Sequence, residues 1–220
     1  MGLGNILLLS QIIGYIFGAI FSLFTFPPIA VSQQHFDDHC ILFSTGYLNK
    51  TIGGRYVVNQ WSLGSQCGFA IFVGIQLMGI SLWQSIRLSI HAINGTDSSF
   101  LMTCITLLVN LLMNIMLLAS AITVTDGYKV WCAAIQKAGE SCEFAGYANE
   151  FFADGNISPE GFNIDWGIAQ FGLWTSWILY TILLIFSLIK ICKLHKQENI
   201  LHSLTRERQR LLGHYEQPDV

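Results

Sequence analysis

The segment FLMTCITLLVNLLMNIMLLASAITVT, residues 100–125, contains no Asp, Glu, Lys, Arg or His. It is longer than the ~20 residues that a helix needs to cross the ~30 Å hydrocarbon core of a bilayer. Three further runs share this character, at about residues 3–26, 68–86 and 167–189. The sequence therefore predicts an all-α membrane protein built as a bundle of four transmembrane helices.

The overall composition agrees with a membrane protein. Charged residues make up 11% of the chain, hydrophobic residues make up 52%, and the mean hydropathy is +0.50. A soluble domain typically has about 25% charged residues. A β-barrel would show short alternating segments, whereas these runs are continuous. We expect membrane lipid as a partner and no nucleic acid, with a transmembrane domain over residues 1–193 and a tail over 194–220.

Lys and Arg residues predict the orientation, because they concentrate on the cytoplasmic side. The loops at 27–66 and 126–166 hold only four of them, with nine of the fourteen acidic residues. The short connection after the second span begins with Arg87. We expect both loops to be extracellular or lumenal, both termini to be cytoplasmic, and the tail to form a helix. The basic residues of the C-terminal flank are Lys190, Lys193, Lys196, Arg206, Arg208 and Arg210.

Two sequons fall in the predicted outer loops. Asn49-Lys50-Thr51 and Asn156-Ile157-Ser158 match the pattern for N-glycosylation, although Pro159 makes the second a poorer acceptor. Asn94-Gly95-Thr96 also matches, but it lies on the predicted cytoplasmic side, where we expect no glycan. The sequence thus predicts glycans at Asn49 and Asn156.

Four cysteines, Cys40, Cys67, Cys132 and Cys142, lie on the predicted oxidising side, where disulfides persist. Four cysteines allow three pairings. One bridge in each loop, Cys40–Cys67 and Cys132–Cys142, is the favoured arrangement, and pairing between the loops stays open.

Aromatic residues mark the predicted outer boundary of the membrane. Trp61, Trp131 and Trp166 lie where an interfacial aromatic belt is expected. Trp174 and Trp177 fall deeper in the fourth span, and we expect them to pack against other helices.

Several motifs resemble those of the transmembrane protein 179 family. They are IAQFGLWTSW at 168–177, CILF at 40–43, SCE at 141–143 and QENILHSL at 197–204, with Gln60-Trp61 and Trp131-Cys132 between them. They occur in the same order over nearly the whole chain. The resemblance implies four spans, two outer loops and a cytoplasmic tail, and it brings no catalytic motif.

Other families of four-span proteins match less well. Claudins have Gly-Leu-Trp followed by two cysteines in the first outer loop, whereas Gly172-Leu173-Trp174 lies inside the fourth span here. We therefore expect the likeness to claudins to be architectural only, which does not establish function.

The third span carries one polar helical face, formed by Thr103, Thr106, Asn110 and Asn114. Such a face is typical either of a path for an ion or small solute or of hydrogen bonds between helices, worth ~0.6–2 kcal/mol each. Since proton relays and ion-coupled carriers usually place charged groups near mid-membrane, the uncharged spans favour hydrogen bonding.

Small residues recur at spacings of four in three spans. Such residues let helix backbones approach closely. We expect most of them to close the bundle itself, and a face for a partner helix is the alternative. They are Gly14, Gly18 and Ser22, Ala70 and Gly74, and Gly172 and Ser176.

The segment His35-Phe36-Asp37-Asp38-His39-Cys40 is the best candidate for a metal site, but a disulfide accounts better for Cys40. No signature of a hydrolase, zinc protease or phosphate-binding loop occurs. We expect no metal, no cofactor, no catalytic residue and no enzymatic activity.

The tail contains an acidic dileucine pattern, with Glu207 four residues before Leu211 and Leu212. Clathrin adaptors read such peptides in extended form. An amphipathic helix lying on anionic lipid is the equal alternative, and both fit if the helix ends before Leu211. Cys192 at the inner interface is a candidate for S-palmitoylation or an inert free thiol.

These features predict a non-catalytic multi-pass protein that acts through partners. It would be an auxiliary or trafficking subunit of a receptor, channel or vesicle complex, in the plasma membrane or an endosomal or vesicle membrane. The expected partner is a membrane protein or further copies of the chain. The alternative is an oligomeric channel or transporter lined by the polar face of the third span.

Overall fold

The computed structural model describes residues 3–49, 54–94, 100–145, 151–153, 157, 159 and 161–215, with backbone alone at 3–5, 197–199, 201–202 and 209–215. Eight elements follow one another along this part of the chain. They are α1 (Leu3–Ser22), α2 (Phe26–His35), β1 (Thr45–Asn49), β2 (Arg55–Gln60), α3 (Gly64–Asn94), α4 (Phe100–Lys137), α5 (Cys142–Ala145) and α6 (Phe162–Tyr215).

Four helical segments are long and apolar enough to cross a membrane: Ile6–His35, Gly64–Asn94, Phe100–Lys137 and Phe162–Lys196. Their outward faces are apolar, as on α4, where Leu108 and Leu112 are more than half exposed. In a membrane, lipid contacts such faces, which in a soluble protein would be buried in the core. The chain is therefore an integral multi-pass membrane protein with an all-α, four-span fold, as the sequence predicted.

The helices extend further than the hydrophobic runs. Residues 27–35 belong to α2, and residues 126–137 belong to α4. The predicted loops at 27–66 and 126–166 are therefore each partly helical. Arg87 likewise lies inside α3 and not in the connection after it. The prediction was wrong at these places because it ended each helix where polar residues begin, although those residues remain helical outside hydrocarbon.

A break separates α1 from α2 within the first segment. The Thr25 hydroxyl donates a hydrogen bond to the Ser22 carbonyl at 2.7 Å, and residues 23–25 form turns. Pro27 then lies in the first turn of α2, where its missing N–H costs no intrahelical hydrogen bond. The helix is thus interrupted at residues 23–25 and resumes as α2.

Glycines allow the first, second and fourth spans to pack closely. A Cβ at Gly74 would lie 2.7 Å from the Thr25 hydroxyl, and one at Gly18 would lie 2.7 Å from the Ser81 hydroxyl. At Gly172 a Cβ would lie 2.8 Å from the backbone of Phe24. The small residues therefore pack within the bundle itself, as the sequence predicted.

We predict that Gly172→Ala lowers the free energy of unfolding by about 1–3 kcal/mol, because the added methyl would overlap a backbone that cannot easily move. The midpoint of thermal unfolding of the detergent-purified chain measures the effect. Gly167→Ala, on the same helix, is the matched control because no atom lies within 4 Å of its Cβ. The control should keep or raise the midpoint, since Ala favours helix; equal midpoints for the two variants would contradict this packing.

Candidate functional site in the loop cap

The two long loops join through backbone hydrogen bonds at one end of the bundle. Strands β1 and β2 form an antiparallel hairpin in the first loop. The Tyr56 N–H on β2 donates to the Phe151 carbonyl at 2.7 Å, and the Ala153 N–H donates to the Tyr56 carbonyl at 3.0 Å. The second loop thus adds a short parallel segment beside β2. We call the hairpin, α5 and residues 151–153 the cap.

An aromatic cluster fixes the cap to the helix ends. The Phe36 ring, just after α2, lies edge-on to Trp131 at 6.1 Å, to Phe152 at 5.8 Å and to Phe162 at 5.7 Å between centroids. Trp131 and Phe152 stack in parallel planes at 6.2 Å. These separations are those of favourable aromatic pairs. All four side chains are at most 2% exposed, so the cluster is a buried core between the cap and the helix ends.

Tyr56 connects the hairpin to this cluster. Its ring lies 5.9 Å from both Trp131 and Phe152. The ring also crosses β1 at Gly46, where a Cβ would lie 2.6 Å from it, so only glycine fits there. Burial raises the pKa of Tyr56 to about 12, although the Gly46 backbone acts in the opposite direction. The hydroxyl is therefore uncharged at physiological pH.

Two disulfides fasten the cap, and they match the favoured pairing. Cys40–Cys67 ties the segment after α2 to the first turns of α3. Cys132–Cys142 ties α4 to α5. Each bridge lies within one loop, and the contacts of Tyr56 hold the two loops together.

The expected aromatic belt needs a correction. Trp131 and Trp166 are buried inside the protein, and the Trp166 indole N–H donates to the Ser32 hydroxyl at 2.8 Å. Trp61 is partly exposed, with its ring 4.7 Å from that of His39. Trp174 does pack as predicted, and its N–H donates to the Thr125 hydroxyl at 3.1 Å. Because α4 and α6 extend into the cap, Trp131 and Trp166 pack against protein and not against lipid headgroups.

The polar face of the third span points into the bundle. Asn110 accepts a hydrogen bond from the Tyr15 hydroxyl at 2.9 Å and donates one to Ser187 at 3.0 Å. Asn114 donates to Thr181 at 2.8 Å. These partners lie on α1 and α6, so the face holds three helices together.

The other two residues of that face lie nearer the end opposite the cap. Thr103 and Thr106 are both buried. The guanidinium of Arg87 donates to the Thr106 hydroxyl at 2.6 Å. This contact was not predicted, because the hydrophobic pattern places Arg87 in a loop.

The candidate metal segment bends sharply. Asp37 and Asp38 adopt φ of 53° and 59°, which is left-handed backbone. The His39 ring contacts the Asp37 carbonyl at 2.8 Å. In the part of the chain that the structure describes, no group of three His, Cys, Asp or Glu side chains could hold a metal ion.

The remaining predicted sites lie at the edges of the structure. Asn49 ends β1, whereas Asn156 lies outside the described residues. Cys192 is an exposed free thiol on α6. Glu207 is exposed, and the side chains of Leu211 and Leu212 are outside the described set. Helix α6 continues to Tyr215. The sorting peptide and the amphipathic helix were expected to coexist only if the helix ended before Leu211, and it does not end there.

The model of the transmembrane protein 179/179B claudin domain matches residues 7–212. The chain belongs to this family. The matched region covers all four spans and the cap. The expectation that the likeness to claudins is architectural only needs correction, since this family's domain is described as a claudin domain despite the missing motif. No solved structure matches the chain.

The docking of the second loop on the hairpin was not predicted. Its one local signal is the pair of adjacent aromatic residues Phe151 and Phe152. Both are buried in the structure. In this member of the transmembrane protein 179/179B family, three residues thus connect two loops that the sequence treats as separate.

We predict that Phe36→Ala destabilises the cap by about 3–5 kcal/mol, because it removes the ring at the centre of the cluster. Limited trypsin digestion of the detergent-purified chain should then cut faster at Arg55 in β2. Phe144→Ala, at an exposed phenylalanine of the same cap, is the matched control and should digest like wild type. Equal digestion of Phe36→Ala and wild type would contradict the central role of this ring.

Proposed function

We propose that the chain is a non-catalytic membrane protein that acts by binding a membrane-protein partner through the cap, as an auxiliary or trafficking subunit of a receptor, channel or vesicle complex. The observation that carries this proposal is the construction of the cap. Both loops, two disulfides and one aromatic cluster hold a single surface in place. A preorganised surface loses little conformational entropy when it binds.

The cap displays aromatic side chains that its own fold does not use. Tyr47 on β1 and Phe144 on α5 are each 52% exposed. Exposed aromatic residues on a rigid support are typical of the few side chains that dominate protein–protein affinity. We propose these two residues as anchors for the partner.

We further propose that the cap faces the extracellular or lumenal side and that both termini are cytoplasmic. Disulfides persist in oxidising compartments, and both bridges lie at the cap end. Lys193 and Lys196 lie at the other end of the bundle, as the positive-inside rule requires. In this orientation Asn49 faces the compartment in which N-glycans are added. We propose that the chain resides in the plasma membrane or in an endosomal or vesicle membrane.

The alternative of an oligomeric channel or transporter has weaker support. Its path would follow the polar face of α4, but Asn110 and Asn114 are hydrogen-bonded to α1 and α6. Conduction along that face would require these hydrogen bonds to open. Binding of a partner through the cap needs no such rearrangement.

We predict that a stoichiometric membrane partner is recovered when the chain is purified from native membranes in a mild detergent. The double variant Tyr47→Ala, Phe144→Ala should lose most of that partner, because truncating anchor residues costs more than about 2 kcal/mol each. Ile93→Ala, exposed at the opposite end of α3, is the control and should retain it.

Two results would count against a partner bound at the cap. One is repeated recovery of the chain alone. The other is equal recovery of the partner with the double variant and with wild type. Recovery of further copies of the same chain would identify a homo-oligomer as the complex, and the double variant would show whether the cap forms its interface.

We propose that the tail directs sorting through Glu207, Leu211 and Leu212, read by a clathrin adaptor. Since helix α6 extends to Tyr215, this reading requires its last turns to unwind on binding. The free and exposed thiol of Cys192 fits reversible palmitoylation near the same membrane surface.

Changing both Leu211 and Leu212 to Ala should move the steady-state pool toward the cell surface, because the adaptor would lose its hydrophobic contact. Surface biotinylation of cells expressing the full chain measures the shift. Leu204→Ala, at an exposed leucine of the same helix, should leave the distribution unchanged. An unaltered surface pool in the double variant would leave the tail as an amphipathic helix without a sorting role.

A further inference from the structure

A small polar cavity lies between the four spans near the end opposite the cap. Every span contributes to its wall. The lining residues are Gln11 of α1, Arg87 and Leu88 of α3, Thr103 and Thr106 of α4, and Ser187 and Lys190 of α6. Its interior, about 10 Å³, has room for about one water molecule. Two of its lining side chains, Arg87 and Lys190, are cationic.

Arg87 is only partly satisfied by the residues that the structure describes. One guanidinium nitrogen donates to the Thr106 hydroxyl at 2.6 Å. The Nε atom is buried and has no hydrogen-bond partner among the described residues. Within that same part of the chain, no carboxylate forms an ion pair with Arg87. A partly buried guanidinium with an unused donor is an incomplete site for an anion.

The depth of Arg87 places it at a membrane surface. It lies 19 residues after Gly68, where the hydrophobic run of α3 begins. At 1.5 Å per residue this is about 29 Å, close to the hydrocarbon thickness. The cavity therefore opens near the headgroups of the leaflet opposite the cap.

We propose that Arg87 and Lys190 form a binding site for a phosphate group at the mouth of this cavity. A guanidinium binds phosphate oxygens through two parallel hydrogen bonds, and an ammonium adds a second charge. The interior is too small for the whole group, so one oxygen points inward and the rest stay at the mouth. Basic pockets between transmembrane helices are known to bind phospholipid headgroups in this way. The site is independent of the cap and of the partner proposed there.

The test uses the full chain purified in a neutral detergent. The thermal midpoint is measured while dioctanoyl phosphatidylinositol 4,5-bisphosphate, dioctanoyl phosphatidylcholine or inorganic phosphate is added. We expect the anionic lipid to raise the midpoint in a saturable manner and phosphatidylcholine to leave it unchanged. Stabilisation by inorganic phosphate at similar concentrations would identify a soluble phosphate as the source, whereas dependence on the acyl chains would identify a lipid.

Charge variants separate this site from general attraction to a basic surface. Lys190→Gln and Arg87→Gln should each weaken the apparent affinity by about tenfold or more, since each removes a charge-assisted contact. Lys193→Gln, at an exposed lysine on the same helix, is the control and should bind like wild type. The thermal midpoint without ligand shows whether each variant is folded. If Arg87→Gln is not folded, the proposal is tested with Lys190→Gln alone.

The proposal is overturned if no phosphate compound raises the midpoint of the wild-type chain. It is equally overturned if Lys190→Gln binds as tightly as Lys193→Gln, because binding would then depend on the basic surface in general.

Discussion

The requirement that polar groups inside a bilayer find partners within the protein determines much of this structure. Asn110 meets that requirement for three helices, since it contacts Tyr15 of α1 and Ser187 of α6 from its place on α4. Asn114 adds a second link between α4 and α6. The polar side chains of the third span thus stabilise the bundle, and their outward neighbours are apolar toward lipid.

Buried polar groups also need partners where the helices leave the membrane. The ends of α2, α4 and α6 bring Phe36, Trp131 and Phe162 together, and the hairpin covers them. Residues 151–153 then pair with the backbone of Tyr56, so its N–H and C=O groups are satisfied in a buried place. The cap is consequently a continuation of the bundle, and a partner bound to it would be held rigidly relative to the membrane helices.

The two ends of the molecule differ in chemistry. The cap presents exposed aromatic groups on a surface that two disulfides fasten. The opposite end presents cations, of which Arg87 and Lys190 line a polar cavity between the spans. A protein that binds a partner at one membrane surface and a phosphate group at the other could couple its position or stability to lipid composition.

Much of this architecture could be predicted from the sequence, because its signals are local. Uncharged runs identified the four spans, and the positions of the cysteines favoured one disulfide within each loop. The extensions of α2 and α4 were missed because hydrophobicity marks the membrane and not the helix end. The burial of Trp131 and the docking of Phe152 depend on contacts distant in sequence, which no short pattern contains. The inward direction of Asn110 was correctly favoured, since an amide in lipid needs a partner.

Hydrogen exchange at the amides of Tyr56 and Ala153, measured on the full chain in lipid nanodiscs, tests most directly whether the two loops form one cap. Both N–H groups donate across the junction between the loops, so they should exchange slowly and at similar rates. If the Ala153 amide exchanges as fast as an unstructured peptide while β2 remains protected, the loops are separate and the cap does not exist as a unit.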